Sequence, residues 1–309
     1  MIVLLNKSSN NGNGLRKWER VRPALEGRYL GRNYRLFTDA RELVEHLRRE
    51  LDGGESTVVA AGGDGTVNFL LNALMGLGDE IRRRVILGAI GLGSSNDFHK
   101  PVSEVHRLDG EVPFKVDDRN AVAHNVGQAD FEDEQGKHQR RYFIINASVG
   151  VIAQANHFFS RGNRLLNWLK PRSVLAAIYY AAIKTLFSAR NIPARISLEG
   201  ETVDAEVTTL SILINPHFSG NLSYDLDVNP QSDYLGVALC ERMGIAERLR
   251  TMAALARSRF QGLPKTRSWK VRSLELDPDS PTALELDGEV CLARNIKIRL
   301  LRGFMRVCS

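Results

Sequence analysis

The sequence predicts two domains of different texture: an α/β domain on an open, mostly parallel sheet over residues 1–118, then a β-rich, β-sandwich-like domain over residues 119–298. Three observations carry this. Apolar, β-branched runs at Ile2 to Leu5, Thr57 to Ala61 and Val85 to Ile90 alternate with stretches of helical spacing. Each of these runs ends in a polar, glycine-bearing loop, and strand-end loops of a parallel sheet gather in one crevice. From Asp109 onward the strands shorten and polar turns separate them.

Ile2 to Leu5 is the first strand, and NKSSNNGNG leads from it into a helix around Leu15 to Leu25. Tyr34, Leu36 and Phe37 alternate as a second strand, and Thr38-Asp39-Ala40 opens the helix of Leu43, Val44 and Leu47, with Thr38 a candidate cap. The third strand runs into Gly62-Gly63-Asp64-Gly65-Thr66, after which Val67, Leu70, Leu71 and Leu74 recur as a helix face. This is the layout of a phosphate site. Glycines admit a bulky anion to the main-chain N–H groups, and a helix start adds unpaired donors and a positive dipole end. Asp64 would repel phosphates unless it holds Mg²⁺ or orients a donor. The plainer alternative is that Asp64 and Thr66 only start the helix. Gly91 to Phe98 repeats the glycine turn after the fourth strand, with Ser94, Asn96 and Asp97 on it.

In the second half, Val112 to Val116, Ala121 to Val126 and Tyr142 to Ile145 read as strands, the last two flanking a charged hairpin tip. No Asp or Glu occurs from Gln135 through Leu198, while ten Lys and Arg do. The same stretch carries Leu165, Trp168, Phe187 and an apolar run from Val174 to Ile183. That run is far shorter than the ~20 residues a membrane span needs. It reads either as an amphipathic core helix with a basic outer face or as an interfacial element meeting anionic headgroups. Arg164, Trp168, Lys170 and Arg172 are its candidate lipid-facing residues. Thr208 to Asn215 is a further strand and Ile245 to Phe260 a helix. Ala283 to Glu289 is an alternating strand running into an acid-flanked turn, and strands at Ile296 to Leu301 and Phe304 to Val307 follow.

The chain has 309 residues, 43% of them hydrophobic, enough for two ordinary cores. A net charge of +6 points to anionic partners such as nucleotides, nucleic acid or lipid headgroups, but no nucleic-acid motif occurs, so nucleic acid is not expected. Cys240, Cys291 and Cys308 show no metal or redox spacing, and with no basic, apolar leader at MIVLLNK a reducing, cytoplasmic setting is expected.

Three ordered landmarks, GGDGT at 62–66, the Gly93-Ser94-Ser95-Asn96-Asp97-Phe98 turn and the Asp287-Gly288-Glu289 triplet, resemble the diacylglycerol kinase catalytic-domain family. That family includes bacterial soluble diacylglycerol kinases, sphingosine kinases and ceramide kinases, and the distantly related NAD kinases share GGDGT. The resemblance implies a nucleotide-binding first domain, a lipid-binding second domain and a tail, about 299–309, that returns to the first. It implies ATP as phosphate donor with Mg²⁺, and diacylglycerol or a ceramide or sphingoid lipid as acceptor. Asn6, Thr38, Gly62, Gly63, Gly65, Thr66, Ser94, Asn96, Asp97 and Glu289 would meet the nucleotide. Asp287 would take the acceptor's proton, Asp64 would be the second catalytic acid, and Asp64 and Asp233 are the candidate metal ligands. The acid-free basic segment adds an expectation of peripheral contact with an anionic membrane surface, and a homodimer stays open.

The departures are specific. Lys7 and Gly91 stand where proline is usual, Ser94 for threonine, Phe69 for glutamate and Tyr234 for glycine, and no acid follows Gly150. Two other readings stay open: an NAD kinase-like enzyme, and a catalytically silent lipid- or nucleotide-binding protein.

Overall fold

Every position of β1 (Ile2–Leu5), β3 (Thr57–Gly62) and β4 (Ile86–Gly91) is buried, as parallel strands covered on both faces should be. The computed structural model describes residues 1–30, 34–103, 106–169 and 172–309. Its contacts divide into two units, Met1–Asn125 with Gly303–Ser309, and Val126–Arg302.

In the first unit the parallel order is β2 (Arg35–Phe37), β1, β3, β4, with Ile2 opposite both Arg35 and Val58, and Thr57 opposite Ile86. Helices α1 (Asn13–Leu25), α2 (Ala40–Asp52), α3 (Asp64–Met75) and α4 (Asp79–Arg84) make the connections. Their buried residues follow helical spacing: Trp18, Val21 and Leu25 on α1, Leu43, Leu47 and Leu51 on α2, and Val67, Leu70, Leu71 and Leu74 on α3. The cap of α2 is Asp39, not Thr38. Its Oδ1 accepts from the N–H groups of Arg41 at 2.7 Å and Glu42 at 3.3 Å, because the extended residue just before the first helical one is Asp39.

The free edge of β4 is taken up from both sides. β5 (Arg107–Leu108) pairs with β6 (Val112–Lys115), and β6 runs antiparallel to β4. The end of β18 (Glu289–Val307) runs parallel to β4, with Arg306 opposite Ile86. Buried Arg82 of α4 donates to the carbonyl of Phe304 at 2.9 Å and lies 3.6 Å from that ring's centre.

The second unit is mainly antiparallel. β7 (Val122–Glu132), which begins in the first unit, forms a hairpin with β8 (His138–Phe143). β9 (Asn146–Gly150), β10 (Ile192–Leu198), β11 (Glu201–Leu213), the short β12 (His217–Phe218) and β13 (Leu222–Ser223), β14 (Leu235–Glu241), β15 (Thr266–Val271), β16 (Ser273–Pro278) and β17 (Thr282–Leu286) follow. The order β15, β14, β11, β10, β16, β18 forms one run, while β9 bridges β11 and β17. Burial alternates along β10 and β16, and the inward residues join one core with Val207, Leu210, Val237, Leu284 and Ile298. Between β9 and β10 the β-rich pattern is interrupted by three helices, α5 (Val151–Arg161), α6 (Arg164–Leu169) and α7 (Val174–Ser188); α8 (Ile245–Leu255) follows β14 and ends before Phe260.

Candidate nucleotide site and the acids of the second unit

Because β1, β3 and β4 are parallel, their three following loops leave one edge of the sheet, and side chains bind them together. Asn6, just past β1, donates from Nδ2 to Thr66 Oγ1 at 3.0 Å, and its Oδ1 accepts from the N–H and hydroxyl of Ser8. The carbonyl of Gly62 accepts from Leu92 N at 2.8 Å and Gly93 N at 3.2 Å. Asp64 spans the two glycine turns: Oδ1 accepts from Phe98 N at 3.0 Å and Oδ2 from Asp97 N at 3.1 Å. The backbones approach so closely that a Cβ on Gly93 would stand 2.6 Å from Gly63 Cα, and one on Gly62 would stand 2.2 Å from Thr66 Oγ1. Only glycine fits at either position.

These contacts decide against Asp64 and Thr66 as mere helix starters. The cap residue of α3 is Gly63, and no side chain caps the helix. The first turn of α3 therefore offers main-chain N–H groups and the positive end of its dipole to an anion. Ser94 is exposed on the neighbouring turn. Asn96 holds that turn in shape: it sits at φ 51°, donates to the carbonyls of Gly91 and Gly93, and accepts from Gly93 N at 3.0 Å. Asp97 is buried and paired with Lys100 Nζ at 2.8 Å. Gly65 lies in the first turn of α3, and Thr38 lies at the end of β2, where no described hydrogen bond ties it to these loops.

Behind the second turn lies a group that the sequence did not single out, since histidine and lysine on strands carry no spacing signal. Lys115 sits 5.2 Å from the centre of the Phe98 ring, which also meets the buried rings of His99 and His124. Burial pushes the Lys115 ammonium down. Burial first, then the nearby Lys115 and His106, holds His99 down to about 3; burial likewise holds His124 down to about 3, opposed by its hydrogen bond to the Asn125 backbone and aided by Lys115. Both rings are neutral in the native state at pH 6, where the unfolded chain binds protons, so stability should fall as the pH falls from about 6.5 towards about 3. At up to about 1.4 kcal/mol per pH unit for each ring, the free energy of urea unfolding should drop by about 2 kcal/mol between pH 6 and 5. His124→Gln should roughly halve that slope; a flat profile would count against two buried neutral rings.

In the second unit Asp287 is buried at φ 50° in the turn after β17. Its Oδ2 accepts from Ile144 N at 2.8 Å and its Oδ1 from Ile145 N at 2.9 Å and Asn146 N at 3.0 Å. Asp287 N returns a bond to the carbonyl of Asn146. The apolar run Tyr142 to Ile145 is thus not one strand: β8 stops at Phe143, and Ile144 and Ile145 form a corner whose N–H groups are bound by this carboxylate. Glu285, also buried, accepts from Ser148 Oγ at 2.6 Å and from Gly288 N. Glu289 is exposed beyond the turn.

Asp233 is paired with Arg302, and Asp227 with Lys270 at 3.0 Å. Among the described residues no group of three His, Cys, Asp or Glu gathers that could hold a metal. Asp233, the expected metal ligand of this unit, is exposed and paired with Arg302, while Asp64 holds two loops with its oxygens. Of the expected lipid-facing residues, Arg164 and Trp168 are exposed, Arg172 lies 4.2 Å over the Trp168 ring, and Lys170 falls outside the described residues.

Residues 1–118 match the diacylglycerol kinase catalytic domain. A diacylglycerol kinase of Staphylococcus haemolyticus (strain JCSC1435) is 24% identical over 268 residues, which cover 87% of this chain and 74% of that protein. One of Staphylococcus carnosus (strain TM300) is 24% identical over 242 residues, covering 78% and 72%. A crystal structure of a diacylglycerol kinase from Bacillus anthracis str. Sterne matches with a TM-score of 0.64 at 14% identity, over 100% of this chain and 96% of that one, and so shares the fold.

Proposed function

Residues 1–118 carry the diacylglycerol kinase catalytic domain, and from that premise we propose that the chain is a lipid kinase that transfers the γ-phosphate of ATP to a hydroxyl of diacylglycerol or of a ceramide or sphingoid lipid. The observation that carries this reading is the joining of the two glycine turns through Asp64 and the Gly63–Gly93 approach. Together they present an uncapped helix start to phosphate oxygens. Phosphoryl transfer asks the protein chiefly for positioning and for donors aimed at the developing charge. Main-chain N–H groups of Gly63 and Gly65, with the Ser94 hydroxyl, would supply those donors, while the N–H of Thr66 already donates to the Gly63 carbonyl at 2.9 Å. Mg²⁺ would arrive with ATP, bound to its phosphate oxygens, as part of the substrate.

Asp287 is the proposed acceptor of the lipid hydroxyl's proton. Its three main-chain partners fix its orientation, which suits a positioning acceptor. The acceptor lipid resides in a bilayer, so the enzyme would work peripherally at a membrane surface. Its basic, acid-free segment favours an anionic one. A catalytically silent binding protein is the second reading, favoured by the commitment of both Asp64 and Asp287 to structural hydrogen bonds.

The deciding experiment follows label from γ-labelled ATP with Mg²⁺ into diacylglycerol, ceramide, sphingosine, monoacylglycerol and NAD. Labelled lipid is the expected outcome and names the acceptor. Labelled NAD would overturn the lipid assignment, and ATP binding with no product from any acceptor would leave the silent protein.

A further inference from the structure

Helices α5 to α7 share a small core of Leu166, Ala177 and Ala181, against which Phe158 and Tyr180 pack. Outside that core stands a second set of apolar side chains that this core leaves uncovered. On α7, Tyr179 (64% exposed), Ile183 (51%) and Phe187 (55%) recur every four residues and so form one stripe; on α6, Leu165 and Trp168 are spaced by three and are similarly exposed. A helix apolar on both its inner and outer faces is unusual for a surface element and marks an interaction site.

The charges say what kind of partner fits. Arg161, Arg164, Arg172, Lys184 and Arg190 are exposed on and around these helices, and no acid occurs between Gln135 and Leu198. Two of the cations are seated on aromatic rings, Arg172 over Trp168 at 4.2 Å and Lys184 over Phe158 at 4.4 Å, so positive charge is interleaved with the apolar set. A second copy of this face would bring like charge against like. No described helix is long and apolar enough to cross a membrane, so the fitting geometry is a helix lying in the plane of an interface.

The face is also firmly mounted. Buried Arg248 of α8 donates to the carbonyls of Leu186 at 3.0 Å and Ala189 at 2.8 Å, at the C-terminal end of α7, and to Asn191 Oδ1 and the carbonyl of Met243. A guanidinium here satisfies the carbonyls that a helix end leaves open and meets the negative end of its dipole.

We propose that α6 and α7 form a docking face for an anionic lipid bilayer, with Tyr179, Ile183, Phe187 and Trp168 entering the headgroup boundary and the surrounding cations meeting lipid phosphates. This deepens the lipid-kinase reading, on which it rests for its biological use, by assigning the surface that brings the enzyme to its acceptor.

The test is co-sedimentation of the full chain, without ATP, with vesicles of phosphatidylglycerol and phosphatidylcholine or of phosphatidylcholine alone. Wild type should bind the anionic vesicles at least ten-fold more tightly at low salt and lose that preference as salt is raised. Two variants probe the face separately: Tyr179→Ser with Ile183→Ser and Phe187→Ser removes the exposed stripe, and Arg172→Glu with Lys184→Glu reverses charge. Each should weaken binding ten-fold or more with an unchanged melting temperature. Equal wild-type binding to neutral vesicles, no binding at low salt, or variants that bind like wild type would overturn the proposal. So would absence of vesicle binding with self-association that the stripe variant abolishes, which would give the face to a second copy. Phosphoryl transfer by wild type to a short-chain, water-soluble diacylglycerol reads the kinase assignment separately. Docking without transfer removes the kinase and keeps the face, and transfer without docking does the reverse.

Discussion

Asp287→Ala is expected to cost on the order of 4 kcal/mol of stability, because it strips the acceptor from three buried N–H groups and each orphaned donor costs about 1–3 kcal/mol. The three donors belong to Ile144, Ile145 and Asn146, so the loss falls on the corner that leads into β9, and through β9 on its pairing with both β11 and β17. A bare loss of turnover in this variant therefore says nothing about proton transfer. Asp287→Asn separates the two roles. It keeps the shape and one accepting oxygen but turns an amide NH₂ towards a main-chain N–H, so part of the stability loss remains. Turnover per folded molecule, measured alongside urea unfolding, is the discriminating quantity. If Asp287 accepts the hydroxyl's proton, that quantity should fall by 10²-fold or more, within the range of general-base contributions. If it tracks wild type once the folded fraction is corrected, Asp287 is a staple and the proton goes elsewhere.

Why this duality was hidden is instructive about what a sequence displays. β1, β3 and β4 were legible because a strand buried on both faces must be apolar along its length, and their glycine turns because close backbone approach excludes every other residue. Both signals are local. The partners of Asp287 lie more than 140 residues away, and nothing in Tyr142 to Ile145 distinguishes a continuing strand from a corner held open by a remote carboxylate. The same reason hid Glu285, which faces inward on a strand whose every position is buried, and Arg248, which looks like one arginine among several on α8. Thr38 and Asp39 are both capping types in adjacent positions, and only the backbone angles at Asp39 choose between them. The charge run from Gln135 to Leu198 showed that a basic face existed, while the stripe of Tyr179, Ile183 and Phe187 needed the helix to be seen as outward-facing.

Asp64→Ala should produce the largest loss of nucleotide binding in the first unit. Its two oxygens make the side-chain links recorded between the Gly62–Thr66 turn and the Asp97–Phe98 segment, and hydrogen bonds to a charged acceptor contribute about 1.5–3 kcal/mol each. Without them the turns remain attached through the Gly62 carbonyl and the glycine contact, so the unit should fold, with the two loops free to part. A displacement near 1 Å at a phosphate cradle is enough to cost about 10²-fold in rate. The expected result is a Kd for ATP raised at least ten-fold, turnover reduced by about 10²-fold or more, and a modest fall in melting temperature. Simple repulsion makes the opposite forecast: a carboxylate beside phosphates opposes binding, so its removal should tighten ATP. Asp64→Asn sharpens the contrast, because it deletes the charge but retains one acceptor for Phe98 N or Asp97 N. Weakened binding in both variants, less severe in the asparagine, would identify Asp64 as the residue that holds the cradle closed. ATP bound as well as in wild type by the alanine variant would show that the loops keep their shape without it, and would return Asp64 to a role directed at the ligand.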